Sequence, residues 1–117
     1  MLDFNLPLPP SYHRKGKTAL LDDFKRAVSY LIGNSSIGDG EYELVLHFHA
    51  NWYTKDGAIL RKDLKNLVWH LEDAIAEAMG YDDCQHFRIV CDKRNDPNDT
   101  YVRVILRPLD GLPPEGC

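Results

Sequence analysis

Residues 63–79 read DLKNLVWHLEDAIAEAM, and this stretch carries the clearest periodic pattern in the chain. Apolar side chains recur every three or four residues over about four turns, which predicts an amphipathic helix with one buried face. The apolar set consists of Leu64, Leu67, Val68, Leu71, Ala74, Ile75, Ala78 and Met79. Gly80 follows directly and is a favourable residue for ending a helix. The other elements are expected to pack around this helix.

The sequence on either side of this helix predicts one further helix and four strands. Alternating residues predict strands at about 2–8, 41–49, 86–91 and 101–106, and a period near 3.6 predicts a helix at 18–32. The last two strands are expected to pair as a hairpin. The order β-α-β-α-β-β in one domain predicts an α+β fold, with both helices packed on one mixed sheet.

Length and composition indicate a single globular domain. The chain has 117 residues, of which 44% are hydrophobic and 27% are charged, and this suits one modest core. Residues 1–109 are expected to form the domain, and the Gly- and Pro-rich residues 110–117 a flexible tail. No apolar run approaches the roughly 20 residues of a membrane span. With Asp3 and Asn5 so early and no basic or long apolar region, the N-terminal residues predict no signal peptide.

Cysteine use and net charge restrict the class of protein. The three cysteines, Cys84, Cys91 and Cys117, are odd in number and include no Cys-x-x-Cys pair. They predict reduced thiols in a cytoplasmic protein and not a disulfide or zinc framework. A net charge of −4 disfavours a protein that coats nucleic acid by charge alone. It allows local basic patches beside an acidic metal site.

Two polar stretches have both a functional and a structural interpretation. Residues 12–17 read YHRKGK and contain no acid. Such a loop suits phosphate contacts, but short basic loops are also common on solvated surfaces. His47 and His49 fall on one side of a predicted strand, where they suit a metal pair. We favour the interpretation that they are polar residues on the solvated side of the strand, because no third potential ligand follows at a spacing typical of metal sites.

Three carboxylates flank the helix at 63–79. Asp63 opens it, and Asp82 and Asp83 follow its end. Hard oxygen ligands favour Mg²⁺ or Mn²⁺, and such a site suits phosphodiester hydrolysis. As a structural alternative, Asp63 complements the helix dipole and the other two are turn residues.

The helix at 63–79 is too long for Asp63 and the Asp82–Asp83 pair to reach one metal ion directly. Its ends lie roughly 25 Å apart, because each residue adds 1.5 Å. The carboxylates can meet in only two ways. Either the chain folds back over the helix, or two subunits of a homodimer bring opposite ends together.

Short motifs along residues 6–106 resemble, in their order and spacing, the RusA family of Holliday junction resolvases. The motifs are Pro9–Pro10–Ser11 with Arg14, Arg61-x-Asp63-Leu64-x-Asn66, Asp73, Asp82–Asp83-x-Gln85, and Lys93. RusA-like proteins are small, dimeric, Mg²⁺-dependent endonucleases, mostly of phage or prophage origin, that cut four-way DNA junctions. The resemblance therefore implies a homodimeric hydrolase for branched DNA, acting in DNA recombination and repair.

The resemblance also assigns roles to individual residues. Asp63 matches the first essential metal aspartate of the family, and Asp83, with its neighbour Asp82, matches the later one. Metal ligation is therefore expected from these three, and a catalytic role from Asp63, Asp83 and Lys65. Contacts to DNA are expected from Ser11, Tyr12, His13, Arg14, Lys62 and Lys93.

Two positions depart from the family pattern. Lys65 stands where the family has a second aspartate, and Trp69 stands where it often has a lysine. The two lie at i and i+4, and hence on one patch of the helix. A lysine cannot ligate Mg²⁺, so Lys65 is expected to contact phosphate at a site that holds one metal ion. Alternatively, the chain is a catalytically impaired RusA-like DNA-binding protein.

Overall fold

The computed structural model describes residues 2–9, 17–33, 35 and 37–109, with the backbone alone described for 17–20. The predicted tail at 110–117 lies outside these residues. So does the predicted DNA-contacting loop, which comprises Ser11, Tyr12, His13 and Arg14. No helix in the described part of the chain is long and apolar enough to cross a membrane.

The fold is a four-stranded mixed sheet with two helices, and it confirms the predicted α+β class. The sheet order is β1-β4-β2-β3, in which β2 and β3 are parallel and the other neighbouring strands are antiparallel. A single-turn 3-10 helix (Asp83–Gln85) precedes β3. The elements are β1 (Leu2–Leu6), α1 (Lys17–Ile32), β2 (Tyr42–Ala50), α2 (Leu64–Met79), β3 (His86–Asn95) and β4 (Tyr101–Pro108).

The predicted hairpin of the last two strands is wrong, because β2 lies between β3 and β4. In β2 the side chains of Leu44, Leu46 and Phe48 are fully buried, so this strand takes the centre of the sheet. The connection from β3 to β4 crosses the end of β2, where the Asp96 N–H donates to the Ala50 carbonyl at 2.7 Å. Five residues at 96–100 make this crossing, which is more than the two that a tight hairpin needs.

The core lies between the two helices and one face of the sheet. Alternate residues of a strand share a face, and every second residue of β2 and β4 is buried against the helices. Leu71 and Ile75 of α2 and Val28 of α1 are 0% exposed. The helices also pack on each other, and Lys25 of α1 pairs with Asp73 of α2 at 3.0 Å.

α2 begins and ends where its sequence predicts. Asp63 has extended dihedral angles and caps the first turn, with its side chain accepting the Lys65 N–H. Gly80 ends the helix at φ 72°, in the left-handed region that glycine adopts without strain. β3 then runs back along α2, so that Lys93 lies beside Lys62 and the beginning of the helix.

Candidate nucleic-acid and metal-binding site

The predicted metal ligands lie at opposite ends of α2. Asp63 precedes the helix, whereas Asp82 and Asp83 line a hollow with Asp73 and Glu77 in its second half. Sixteen residues of helix span about 24 Å. β3 does fold back, but the loop that carries Asp82 and Asp83 stays at the far end.

One subunit therefore does not gather the three predicted ligands. Across residues 2–9, 17–33, 35 and 37–109, no three or more His, Cys, Asp or Glu side chains are close enough to hold a metal ion. The carboxylates of a single subunit do not fit the Mg²⁺ or Mn²⁺ that the RusA resemblance implies. Of the two arrangements expected from the sequence, the one that remains uses two subunits.

The carboxylates of Asp63 and Asp82, at the two ends of α2, each have a local structural role. Asp63 is exposed, and its Oδ1 accepts the Lys65 backbone N–H at 3.0 Å. Its negative charge also complements the positive end of the helix dipole. Asp82 caps the 3-10 helix by accepting the Cys84 N–H at 3.0 Å, and this hydrogen bond lowers the pKa of Asp82. Both carboxylates are therefore oriented by backbone donors.

Basic side chains from two elements meet at the beginning of α2. The Lys93 ammonium on β3 donates to the Lys62 carbonyl at 2.5 Å. Arg61, Lys62 and Lys65 are exposed beside it. We call these four residues the basic cluster. Together with the positive end of the α2 dipole, they form a surface suited to phosphate oxygens.

Trp52 anchors the β3 side of the basic cluster. It is buried, and its indole N–H donates to the Phe48 carbonyl at 3.1 Å and to the Arg94 carbonyl at 2.9 Å. The Lys93 ammonium lies 4.9 Å from the centre of its ring, within the range of a cation–π interaction. Trp52 therefore packs in the core and positions Lys93.

The two residues that depart from the RusA pattern share one patch, as their spacing predicts. Lys65 and Trp69 both line an open groove of about 290 Å³ between α2 and β3. Trp69 is 69% exposed. The remaining walls of the groove are mostly apolar and comprise Leu64, Val68, Glu72 and Cys91.

His47 and His49 have polar partners on the sheet face opposite the helices. His47 Nδ1 lies 2.8 Å from Asp92 Oδ1. The His49 ring stacks on Tyr101 with ring centres 4.4 Å apart, and its Nδ1 is 3.9 Å from Asp96. These contacts agree with the polar interpretation of the two histidines.

The arginines on this open face are also paired. Glu43 is 1% exposed and lies 2.5 Å from Arg107 and 3.0 Å from Arg88. Arg103 pairs with Asp3 at 2.7 Å, and this hydrogen bond lowers the pKa of Asp3. The charges of this face are thus neutralised locally, in contrast to those of the basic cluster.

Sequence reasoning missed a buried hydrogen-bonded chain that holds the loop after α2. His86, whose side chain is fully buried, has Nδ1 2.6 Å from a Glu72 carboxylate oxygen and Nε2 2.5 Å from the Tyr81 hydroxyl. A carboxylate only accepts, so Nδ1–H donates to Glu72, and in the neutral imidazole the Tyr81 hydroxyl donates to Nε2. Burial raises the pKa of Tyr81 and keeps it a donor. No spacing rule in the sequence indicates this chain.

We expect Tyr81→Phe to destabilise the protein by about 1–3 kcal/mol, because it leaves the buried His86 Nε2 without its hydrogen-bond partner. Tyr53→Phe is the matched control, since the Tyr53 side chain is exposed. Urea unfolding followed by circular dichroism measures both. Equal unfolding midpoints for the two variants would show that the chain contributes nothing to stability.

A scan against models of known protein families and a search of curated proteins found no match to this chain.

Proposed function

We propose that this protein is a RusA-like homodimeric endonuclease that acts on four-way or other branched DNA during recombination and repair, in the cytoplasm. The main support is the contact of Lys93 with the Lys62 carbonyl. It joins two RusA-like motifs, 31 residues apart in the chain, into one basic surface beside Asp63. The order and spacing of the other motifs add to this support.

The basic cluster would bind the phosphate backbone near the point of cleavage. Lysine and arginine contacts to phosphate position a protein on DNA without reading its sequence. Branched DNA of two-fold symmetry suits a two-fold protein dimer, which presents two equal surfaces. The net charge of −4 is compatible with this role, since the positive charge is concentrated locally.

Cleavage in this proposal depends on two subunits. Asp63 of one subunit and Asp82 and Asp83 of the partner subunit would together hold Mg²⁺ or Mn²⁺, which supplies Lewis-acid chemistry for phosphodiester hydrolysis when bound. Lys62 and Lys65 would hold the phosphate against this site. Backbone donors orient Asp63 and Asp82 before any substrate arrives.

A second candidate function is binding of branched DNA without cleavage. The observation that favours it is Lys65, whose exposed side chain lies one residue beyond the start of α2, two residues from Asp63. An ammonium group repels a nearby cation and attracts phosphate. In that case the chain would retain the DNA surface and lack the nuclease activity.

A cleavage assay on a synthetic four-way junction separates the two candidates. We expect wild-type protein to cut the junction in Mg²⁺ and Asp63→Asn to lose cutting while it still binds the junction in Ca²⁺. Asparagine caps a helix about as well as aspartate, so this change removes the charge and keeps the fold. Binding without cutting by the wild type would support the second candidate, and no preference for the junction over linear duplex would contradict both.

The basic cluster predicts a specific salt dependence. Lys62→Gln should weaken junction binding and reduce the slope of log K against log salt by about one, because one phosphate contact is lost. The Lys62 carbonyl that accepts from Lys93 is unchanged in this variant. Arg26→Gln, at an exposed position on α1, is the control. Identical slopes for the two variants would exclude Lys62 from the DNA surface.

A further inference from the structure

The groove between α2 and β3 has the size and lining of a site for a small flat ligand. Its volume is about 290 Å³, just below the roughly 300–1,000 Å³ that pockets for drug-sized ligands enclose. Leu64, Val68 and Cys91 give it apolar walls, and each of these residues is only partly buried. A ligand with an apolar face would therefore be stabilised by covering them.

Trp69 forms an aromatic surface at this groove. The residue lines the groove and is nevertheless 69% exposed. The ring of His70 lies nearly parallel to the indole, with ring centres 6.1 Å apart, and extends this surface. Aromatic rings stack in offset pairs with centres about 4.5–7 Å apart. The indole is thus placed to receive a planar aromatic ring that also covers the apolar walls.

The charges along the groove give a bound ligand a direction. Lys65, Trp69 and Glu72 follow each other at spacings of four and three residues, so they form one stripe along α2. Lys65 lies at the end next to the basic cluster, whereas Glu72 lies at the other end, where its Oε2 accepts from His86. A phosphate group is attracted to the first end and repelled from the second. A ring attached to that phosphate would then lie on Trp69.

We infer that this groove binds an unpaired base of a DNA strand, with the base stacked on Trp69 and its phosphate at Lys65. A basic surface combined with an aromatic side chain is the arrangement that binds single strands without reading their sequence. The inference rests on the proposed function, which makes the strand DNA, and it adds that the substrate presents unpaired bases near its branch point. The RusA resemblance does not supply this site, because Trp69 is one of the two departures from the family pattern.

Glu72 provides a polar partner for the edge of the stacked base. A carboxylate accepts several hydrogen bonds, and His86 donates to only one of the two Glu72 oxygens in the described part of the chain. An N–H group on the base edge would donate to the other oxygen. A base within a duplex has its faces covered by neighbouring bases and its edge paired. The groove therefore selects unpaired over paired DNA.

Binding measurements on the full-length chain test the stacked base. The probes, both in Ca²⁺, are a four-way junction with a short run of unpaired thymines at its branch point and a fully paired linear duplex. Trp69→Ala should weaken junction binding about 5- to 150-fold, the effect of losing one stacked base, and leave duplex binding unchanged. Tyr30→Ala is the control, because Tyr30 is 86% exposed on α1, and it should change neither. Circular dichroism verifies that both variants are folded.

The salt dependence of junction binding distinguishes stacking from a charge effect. Trp69→Ala removes no phosphate contact, so the slope of log K against log salt should equal that of the wild type. Lys65→Gln should instead reduce the slope by about one. A reduced slope for Trp69→Ala would show that this residue acts through the basic cluster, and it would overturn the stacked base.

Tryptophan fluorescence reports directly on the occupant of the groove. The chain has two tryptophans, and Trp52 is only 4% exposed, so acrylamide reaches mainly Trp69. The junction with unpaired thymines should quench Trp69 emission and shield it from acrylamide, whereas the paired duplex should do neither. In Trp69→Phe protein the remaining emission of Trp52 should respond equally to the two DNAs.

The outcomes separate this inference from the proposed function. Equal junction affinities of wild type and Trp69→Ala, or an indole that stays accessible to acrylamide in the complex, would overturn the stacked base alone. Shielding of Trp69 at rising protein concentration without DNA would assign the groove to a second copy of this chain and also overturn it. Shielding by single-stranded oligothymidylate, without preference for a fully paired four-way junction over linear duplex, would support the stacked base and contradict the proposed function.

Discussion

The length of α2 is the constraint on which the site depends. A helix of sixteen residues is a stiff spacer, and it holds Asp63 about 24 Å from the loop that carries Asp82 and Asp83. Packing reinforces this separation, because Leu71 and Ile75 in the middle of the helix are fully buried against the sheet. Any chemistry that needs all three carboxylates must therefore involve a second subunit.

The sheet order determines what lies near each end of the helix. Because β3 is parallel to β2 and runs back along α2, its last residues reach the helix start, where Trp52 and the Lys62 carbonyl fix Lys93. At the other end, the chain from Glu72 through His86 to Tyr81 holds the loop in place. The basic end and the acidic end of one subunit are thus each held by specific contacts, and they are kept apart.

The sequence predicted best those features that depend on local chemistry. The period of α2, its start at Asp63 and its end at Gly80 follow from neighbouring residues, and the structure has all three. The alternation in β2 also indicated its buried side, on which Leu44 and Phe48 lie.

Features that depend on how distant parts of the chain pack together were harder to predict from the sequence. The pairing of β3 with β4 was predicted from their proximity in the chain, whereas in the observed order β2, with Leu44 and Phe48 fully buried, lies between them. The buried partner of His86 could not be inferred, since Glu72 lies 14 residues away on another element. Likewise, the sequence offered two ways for the carboxylates to meet, and only the observed path of the loop after α2 separates them.

Subunit complementation tests the shared site most directly. Asp63→Asn and Asp83→Asn proteins would each lack one ligand in both sites of their own dimers. A mixed dimer would contain one site with both substitutions and one site with neither. The account predicts that mixing the two variants restores Mn²⁺ binding, measured by calorimetry, and cutting of the four-way junction. A mixture as inactive as its components, beside a wild type that binds Mn²⁺, would place the ligands within one subunit, and a wild type that binds no Mn²⁺ would contradict the metal site itself.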